Sequence, residues 1–241
     1  MIRNKRKFSI GQLILNILLI AFLAACIFPL LWMISSSLKG SEELFSPKIY
    51  LIPKQFTLDH YREVFTSYDI GHWFLNSVVT TFGISILQIL VSFLAAFALG
   101  YYKTKLNSAV FYFLLITMVI PFQVVMIPLI SIYGGMFRLL NHRYTLIFMH
   151  LGFSVSMAVF MYHGFIKGSV PLALEEAAHI DGAGPFRTYF SIVFPLLKPT
   201  TATLVILYAL SLWNDYLLPS LILTDKKVYT LPVAMSLFQG T

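Results

Sequence analysis

Glu175-Glu176-Ala177-Ala178-His179-Ile180-Asp181-Gly182-Ala183, followed by Phe190, Ile192, Pro195 and Pro199, is a polar, acid-bearing, glycine-broken segment between two long apolar runs. Ionised carboxylates are costly in hydrocarbon, so the segment belongs in water or against another protein. The runs around it decide the fold class. No Asp, Glu, Lys or Arg occurs from Tyr144 to Ile166, and Pro199 to Thr224 is broken only by Asp215. Upstream, Gly11 to Leu38, Trp73 to Tyr102 and Leu106 to Phe137 are also free of these charges. Each block exceeds the ~20 residues needed to cross ~30 Å of hydrocarbon as a helix. The pattern predicts an all-α, polytopic transmembrane helical bundle with spans at about 11–34, 73–99, 106–132, 144–166 and 195–223.

Composition points the same way. Of 241 residues, 58% are hydrophobic and 11% charged, against roughly 25% charged in soluble domains. Mean hydropathy is +0.80. Five spans leave little chain for anything else, so one transmembrane domain over 1–241 is expected. The net charge is +7, but the basic residues are scattered in short loops rather than gathered into a stripe with aromatics. That distribution excludes nucleic acid as a partner and suits loops facing an anionic lipid bilayer. Cys26 is the only cysteine, so no internal disulfide is possible. Leu23-Ala24-Ala25-Cys26 resembles a lipoprotein cleavage site, yet Ile27-Phe28-Pro29-Leu30-Leu31-Trp32 stays apolar after it. Cys26 is therefore read as part of a retained first span, one too long for the roughly 7–15-residue apolar region of a signal peptide.

Arg3, Lys5, Arg6 and Lys7 crowd the N-terminus, and the positive-inside rule puts residues 1–10 in the cytoplasm. Alternation then makes 35–72 an outer loop, 167–192 a cytoplasmic loop and the tail from Asp225 external. Nine Lys/Arg residues fall inside and eight outside, so the orientation rests on the N-terminal cluster. In the outer loop, Thr57 to Phe65 predicts a short amphipathic helix capped by Thr57. Pro29, Pro121, Pro128, Pro195, Pro199 and Pro219 fall in or beside spans. They are compatible with bent packing or with a transport path, since proline frees backbone carbonyls and kinks helices.

Within 167–192 the residues predict a helix–turn–helix. Ser169 is a candidate N-cap, Pro171 lies near the first turn, and Leu172 to Ile180 is strongly helix-forming. Gly182 suits the left-handed position that closes a helix, and Pro185 opens the next. Phe186 and Phe190 then share a face at i, i+4 spacing. A small alanine surface, exposed carboxylates and two aromatics suit docking into a groove on another protein. The plain alternative is a solvated loop between spans.

Glu176-Ala177-Ala178, then Asp181-Gly182-Ala183, Phe190, Ile192 and Pro195 resembles the EAA signature of permease subunits of ATP-driven importers. Phe74-Leu75-Asn76-Ser77, Trp213-Asn214-Asp215-Tyr216-Leu217-Leu218-Pro219 and Thr230-Leu231-Pro232 resemble the carbohydrate branch, in particular the smaller permease of maltose-type importers. The resemblance implies that Glu175, Glu176, Ala177, Ala178, Asp181, Gly182, Ala183, Phe186 and Phe190 couple the chain to a cytoplasmic ATPase dimer. It also implies a second permease subunit, an external sugar-binding protein, and a bacterial or archaeal cytoplasmic membrane. ATP and Mg would be bound by the ATPase and no cofactor by this chain. Such permeases have a sixth span, whereas this sequence stops at Gln239-Gly240-Thr241, which suggests a truncated chain.

Individual polar residues are less decisive. Asp215 falls near the outer end of the fifth span, and an intramembrane carboxylate is a functional candidate. Asn214, Asp215, Tyr216 and Asn76 are taken as substrate-path candidates. Helix–helix hydrogen bonds explain Asn76, Gln88 and Gln123 equally well. The six histidines lack metal spacing, His150 and His163 read as packed span residues, and no Gly-rich phosphate loop occurs. The expected function is therefore a non-enzymatic transport subunit for a sugar or oligosaccharide. The alternatives are a permease for an amino acid or peptide, or a secondary transporter, which would need ion-coupling carboxylates deep in the membrane.

Overall fold

The computed structural model describes residues 10–46, 50–101 and 104–238. The basic N-terminal cluster, Lys103 and the last three residues lie outside the described residues. The described chain is helical, without a strand apart from one isolated antiparallel bridge between Lys39 and Phe56. It divides into two compact units, Met1–Asp69 and Ile70–Thr241.

The first unit contains α1 (Ile10–Ser37), α2 (Ser41–Leu44) and α3 (Asp59–Ser67). At ~1.5 Å per residue the 28 residues of α1 are about 42 Å long, enough to span a bilayer. Cys26 lies exposed within it. The following loop folds back onto the end of α1. Lys39 is buried, sits 4.7 Å from the Trp32 ring centroid, and donates to the Tyr50 carbonyl. His60 Nε2 lies 3.0 Å from the Lys39 carbonyl, and the Ser37 and Tyr61 hydroxyls are 2.8 Å apart. The helix expected from Thr57 begins instead at Asp59. Thr57 Oγ1 accepts the Asp59 N–H at 3.1 Å, a local turn that delays helical winding.

The second unit is built on α4 (Ile70–Tyr101), with α5 (Lys105–Thr117), α6 (Phe122–Ile130) and α7 (Arg143–Ser169) following. Then come α8 (Leu172–Ile180), α9 (Pro185–Thr188), α10 (Phe194–Leu196), α11 (Lys198–Trp213), α12 (Leu217–Ile222) and α13 (Leu231–Met235). Helices α4, α7 and α11 form the core around Phe93, Ala96, Ala158, Val159, Tyr162 and Leu204. The buried face of α4 is small and polar, with Asn76, Thr80, Gln88 and Ser92 in one row and Ser77, Thr81 and Ser85 beside it. Small residues let helices approach closely where lipid supplies no hydrophobic drive between them. Tyrosine hydroxyls tie the layers: Tyr208 donates to the Ser154 carbonyl at 2.9 Å, and Tyr162 lies 2.9 Å from the Thr201 hydroxyl.

Among the described residues three helices, α1, α4 and α7, are each long and apolar enough to cross a membrane, or up to five if each of two bent pairs is one span. The polytopic helical bundle read from the sequence is thus the architecture observed, but two spans are not single rods. The span expected at 106–132 breaks between α5 and α6, with a 95° bend. Pro121 causes the break: it has no N–H to donate, and it biases Ile120 away from helical torsions. The span expected at 195–223 bends by 73° at Leu197, beside Pro195 and Pro199, and its helix ends at Trp213.

Candidate functional site

Two regions bring polar side chains together. The first is the segment after α7. Ser169 closes α7 rather than capping α8, and Pro171 in extended geometry precedes α8. The end of α8 is a complete Schellman turn. Gly182 has φ +76°, its N–H donates to the His179 carbonyl at 3.0 Å, and the Ala183 N–H donates to the Ala178 carbonyl at 2.9 Å. Gly184 and Pro185 then start α9.

On this turn Glu176, Ala177, Asp181 and Gly182 are exposed, Glu175 and Ala183 are half-buried, and Ala178 is buried. Phe186 is exposed with its ring centroid 6.5 Å from that of Phe97, while Phe190 contacts Phe93 at 5.5 Å. The internal anchor is a residue the sequence reading passed over. Tyr189 is only 2% exposed, packs its ring 4.2 Å from Phe93 and 3.9 Å from Phe97, and donates its hydroxyl to the Phe93 carbonyl at 2.9 Å. Residues Tyr189–Val193 form a π-helical turn. Tyr189 at its start faces α4, with Phe186 and Phe190 flanking it at the same helix. Ile180 is 85% exposed and adds an apolar tip beside Glu176 and Asp181.

The second region lies where the broken helices meet. Asp215 does not ride on a continuous helix: α11 ends at Trp213 and Asp215 sits in the break before α12. Its Oδ1 accepts the Leu217 N–H at 3.1 Å, and its Oδ2 lies 3.1 Å from His150 Nε2 on α7. Asn214 Nδ2 donates to the Leu210 carbonyl at 2.8 Å. Together with Phe122, Phe153 and Ser211 these residues line a cavity of about 500 Å³. The Phe122 and Phe153 rings meet edge to face, with centroids 5.2 Å apart.

Residues 88–240 match the family of binding-protein-dependent transport system inner membrane components. The chain belongs to this family. This inner membrane component is 39% identical to the probable starch degradation products transport system permease protein of Thermoanaerobacterium thermosulfurigenes, across 97% of this chain and 84% of the relative. It is 38% identical to the melibiose/raffinose/stachyose import permease protein of Bacillus subtilis, across 93% of this chain and 81% of the relative. A solved bacterial ABC transporter involved in import of the acidic polysaccharide alginate superposes with a TM-score of 0.79, at 21% identity, over 98% of this chain and 82% of that one. That likeness establishes the shared fold.

Within this inner membrane component the four substrate-path candidates separate. Asn214 and Asp215 line the cavity and Tyr216 adjoins them, half of its surface exposed. Asn76 is elsewhere: it is fully buried, and its amide donates to the carbonyls of Lys227 and Tyr229 at 3.1 and 2.9 Å. With Trp73 Nε1 on the Lys226 carbonyl and Ser77 Oγ accepting the Leu231 N–H, it clamps the 226–231 loop to α4. Gln88 is buried with its amide on Ser92 Oγ at 3.1 Å, whereas Gln123 is exposed. His163 packs on Phe111, with ring centroids 4.2 Å apart. His150 was the missed partner; its spacing from Asp215 in sequence carries no signal, because the two meet only through the packing of α7 against the α11–α12 break. Among the described residues no group of three metal-ligating side chains converges.

Proposed function

We propose that this chain is one of two membrane-spanning halves of an ATP-driven importer that carries a sugar or oligosaccharide into a bacterial or archaeal cell. The observation that carries this is its 38–39% identity, across more than nine-tenths of its length, to permeases named for starch products and for melibiose, raffinose and stachyose. The N-terminus is cytoplasmic, as the Arg3–Lys7 cluster favours. A second permease completes the pathway, an external binding protein delivers the sugar, and a cytoplasmic ATPase dimer holds ATP and Mg²⁺.

The Glu175–Ala183 turn, with Phe186 and Phe190, is the element that transmits ATPase closure to the spans. A rigid capped helix that exposes Glu176, Ile180 and Phe186 supports this role, and its aromatic tie to α4 supplies a mechanical route. Glu176→Lys and Gly182→Pro test it. Both are expected to abolish sugar uptake and retention of the ATPase during purification while the chain still inserts in the membrane. Normal uptake by both variants sinks the coupling role.

A further inference from the structure

The cavity at the meeting of the helix breaks is furnished for a particular chemistry. Its volume of about 500 Å³ lies within the roughly 300–1,000 Å³ of small-molecule sites, which are mostly apolar with a few fixed polar groups. Asp215 offers acceptor capacity for about four hydrogen bonds. One contact comes from the Leu217 N–H and one from His150, which hold the carboxylate in place and leave it partly accessible. Asn214 has its amide nitrogen directed to Leu210, which leaves its oxygen as an acceptor. Ser211 adds a hydroxyl, and Phe153, 44% exposed, adds a ring.

This set asks for a ligand with several O–H donors and an apolar face. A cation is a poorer match, since a lone carboxylate that already accepts two contacts supplies little compensation for its desolvation. We propose that the cavity is a sugar subsite contributed by this chain. A pyranose ring lies against Phe153, and its hydroxyls donate to Asp215 and to the Asn214 oxygen. His150 is a positioning residue that orients the carboxylate. The subsite rests on the sugar-importer reading and adds to it which atoms meet the cargo during transit.

The test uses the complete importer, both permeases with ATPase dimer and binding protein, in proteoliposomes supplied with radiolabelled maltotriose, melibiose or raffinose. The reading is sugar delivered per ATP hydrolysed, together with the thermal midpoint of the complex. Asp215→Asn is expected to lower that ratio about 10-fold or more, the worth of a charge-assisted hydrogen bond. Phe153→Leu, which keeps apolar bulk and removes the ring, is expected to lower it and to change the preference among the three sugars. Unchanged ratios in both variants overturn the subsite. So does a loss of uptake matched by an equal loss of ATP hydrolysis and a lower thermal midpoint, which marks Asp215 as a structural tie alone. If the unaltered complex imports none of the three sugars while hydrolysing ATP, the sugar-importer reading fails first and takes the subsite with it.

Discussion

Asn141 does for the loop after α12 what Gly182 does for the end of α8. It occupies the left-handed region, with φ 63°, where asparagine is tolerated better than most residues. Its Oδ1 accepts from the Thr224 N–H, the Thr224 hydroxyl and the Asp225 N–H, the last two at 2.9 Å. Asn141→Ala removes three hydrogen bonds and leaves a Cβ-bearing residue at positive φ, so a loss of about 1–2 kcal/mol is expected. Asn141→Asp keeps the acceptor and should cost clearly less. Thermal unfolding in detergent distinguishes the two, and equal midpoints would refute the clamp. Gly182 was legible in the sequence, because a glycine one residue beyond nine helix-forming residues has few other reasons to be there. Asn141 was not, since a lone asparagine in a polar turn carries no sign of which backbone it will meet.

At the scale of elements, the link between the capped turn and α4 depends on Tyr189. Tyr189→Phe keeps the ring stack and loses one hydroxyl hydrogen bond, which predicts a loss of about 0.5–1.5 kcal/mol. Tyr189→Ala removes the stack on Phe93 and Phe97 and opens a cavity, with an expected loss of about 3–5 kcal/mol. If the turn conveys motion through this contact, uptake per ATP falls in the alanine variant even below its unfolding temperature. A stable alanine variant with full uptake would remove Tyr189 from that route. The sequence located the turn but placed its aromatic face at Phe186 and Phe190 by counting 3.6 residues per turn. Tyr189 lies between them and takes the buried position against Phe93 and Phe97, a choice that has no signature in composition. The breaks in the third and fifth spans stand between these cases. The prolines were visible, but whether each one bends, ends or merely starts a helix depended on what packed around it.

For the whole molecule, the two units raise a question of sidedness that labelling answers. With Cys26→Ser as background, Ile180→Cys and Lys226→Cys each present a single thiol, and both parent residues are exposed. On intact cells a membrane-impermeant maleimide is expected to label the Lys226→Cys variant and to reach the Ile180→Cys variant only after the membrane is opened. The reverse pattern would invert the orientation. The exposed, apolar circumference of α1 belongs to this scale as well. A helix that is hydrophobic all round is covered by lipid or by other helices.

The sequence by itself determined the helical membrane class, the five apolar stretches, the polar segment between the last two, and the glycine that caps its helix. These properties are local: hydropathy is summed over one turn or one span, and a left-handed cap is a matter of a single backbone torsion. Tertiary structure alone decided that Asp215 meets His150, that Tyr189 rather than Phe190 is buried, and that Asn76 holds a loop instead of facing the cavity. Each of these depends on which distant element packs alongside, and apolar runs of similar composition do not encode that choice in their periodicity.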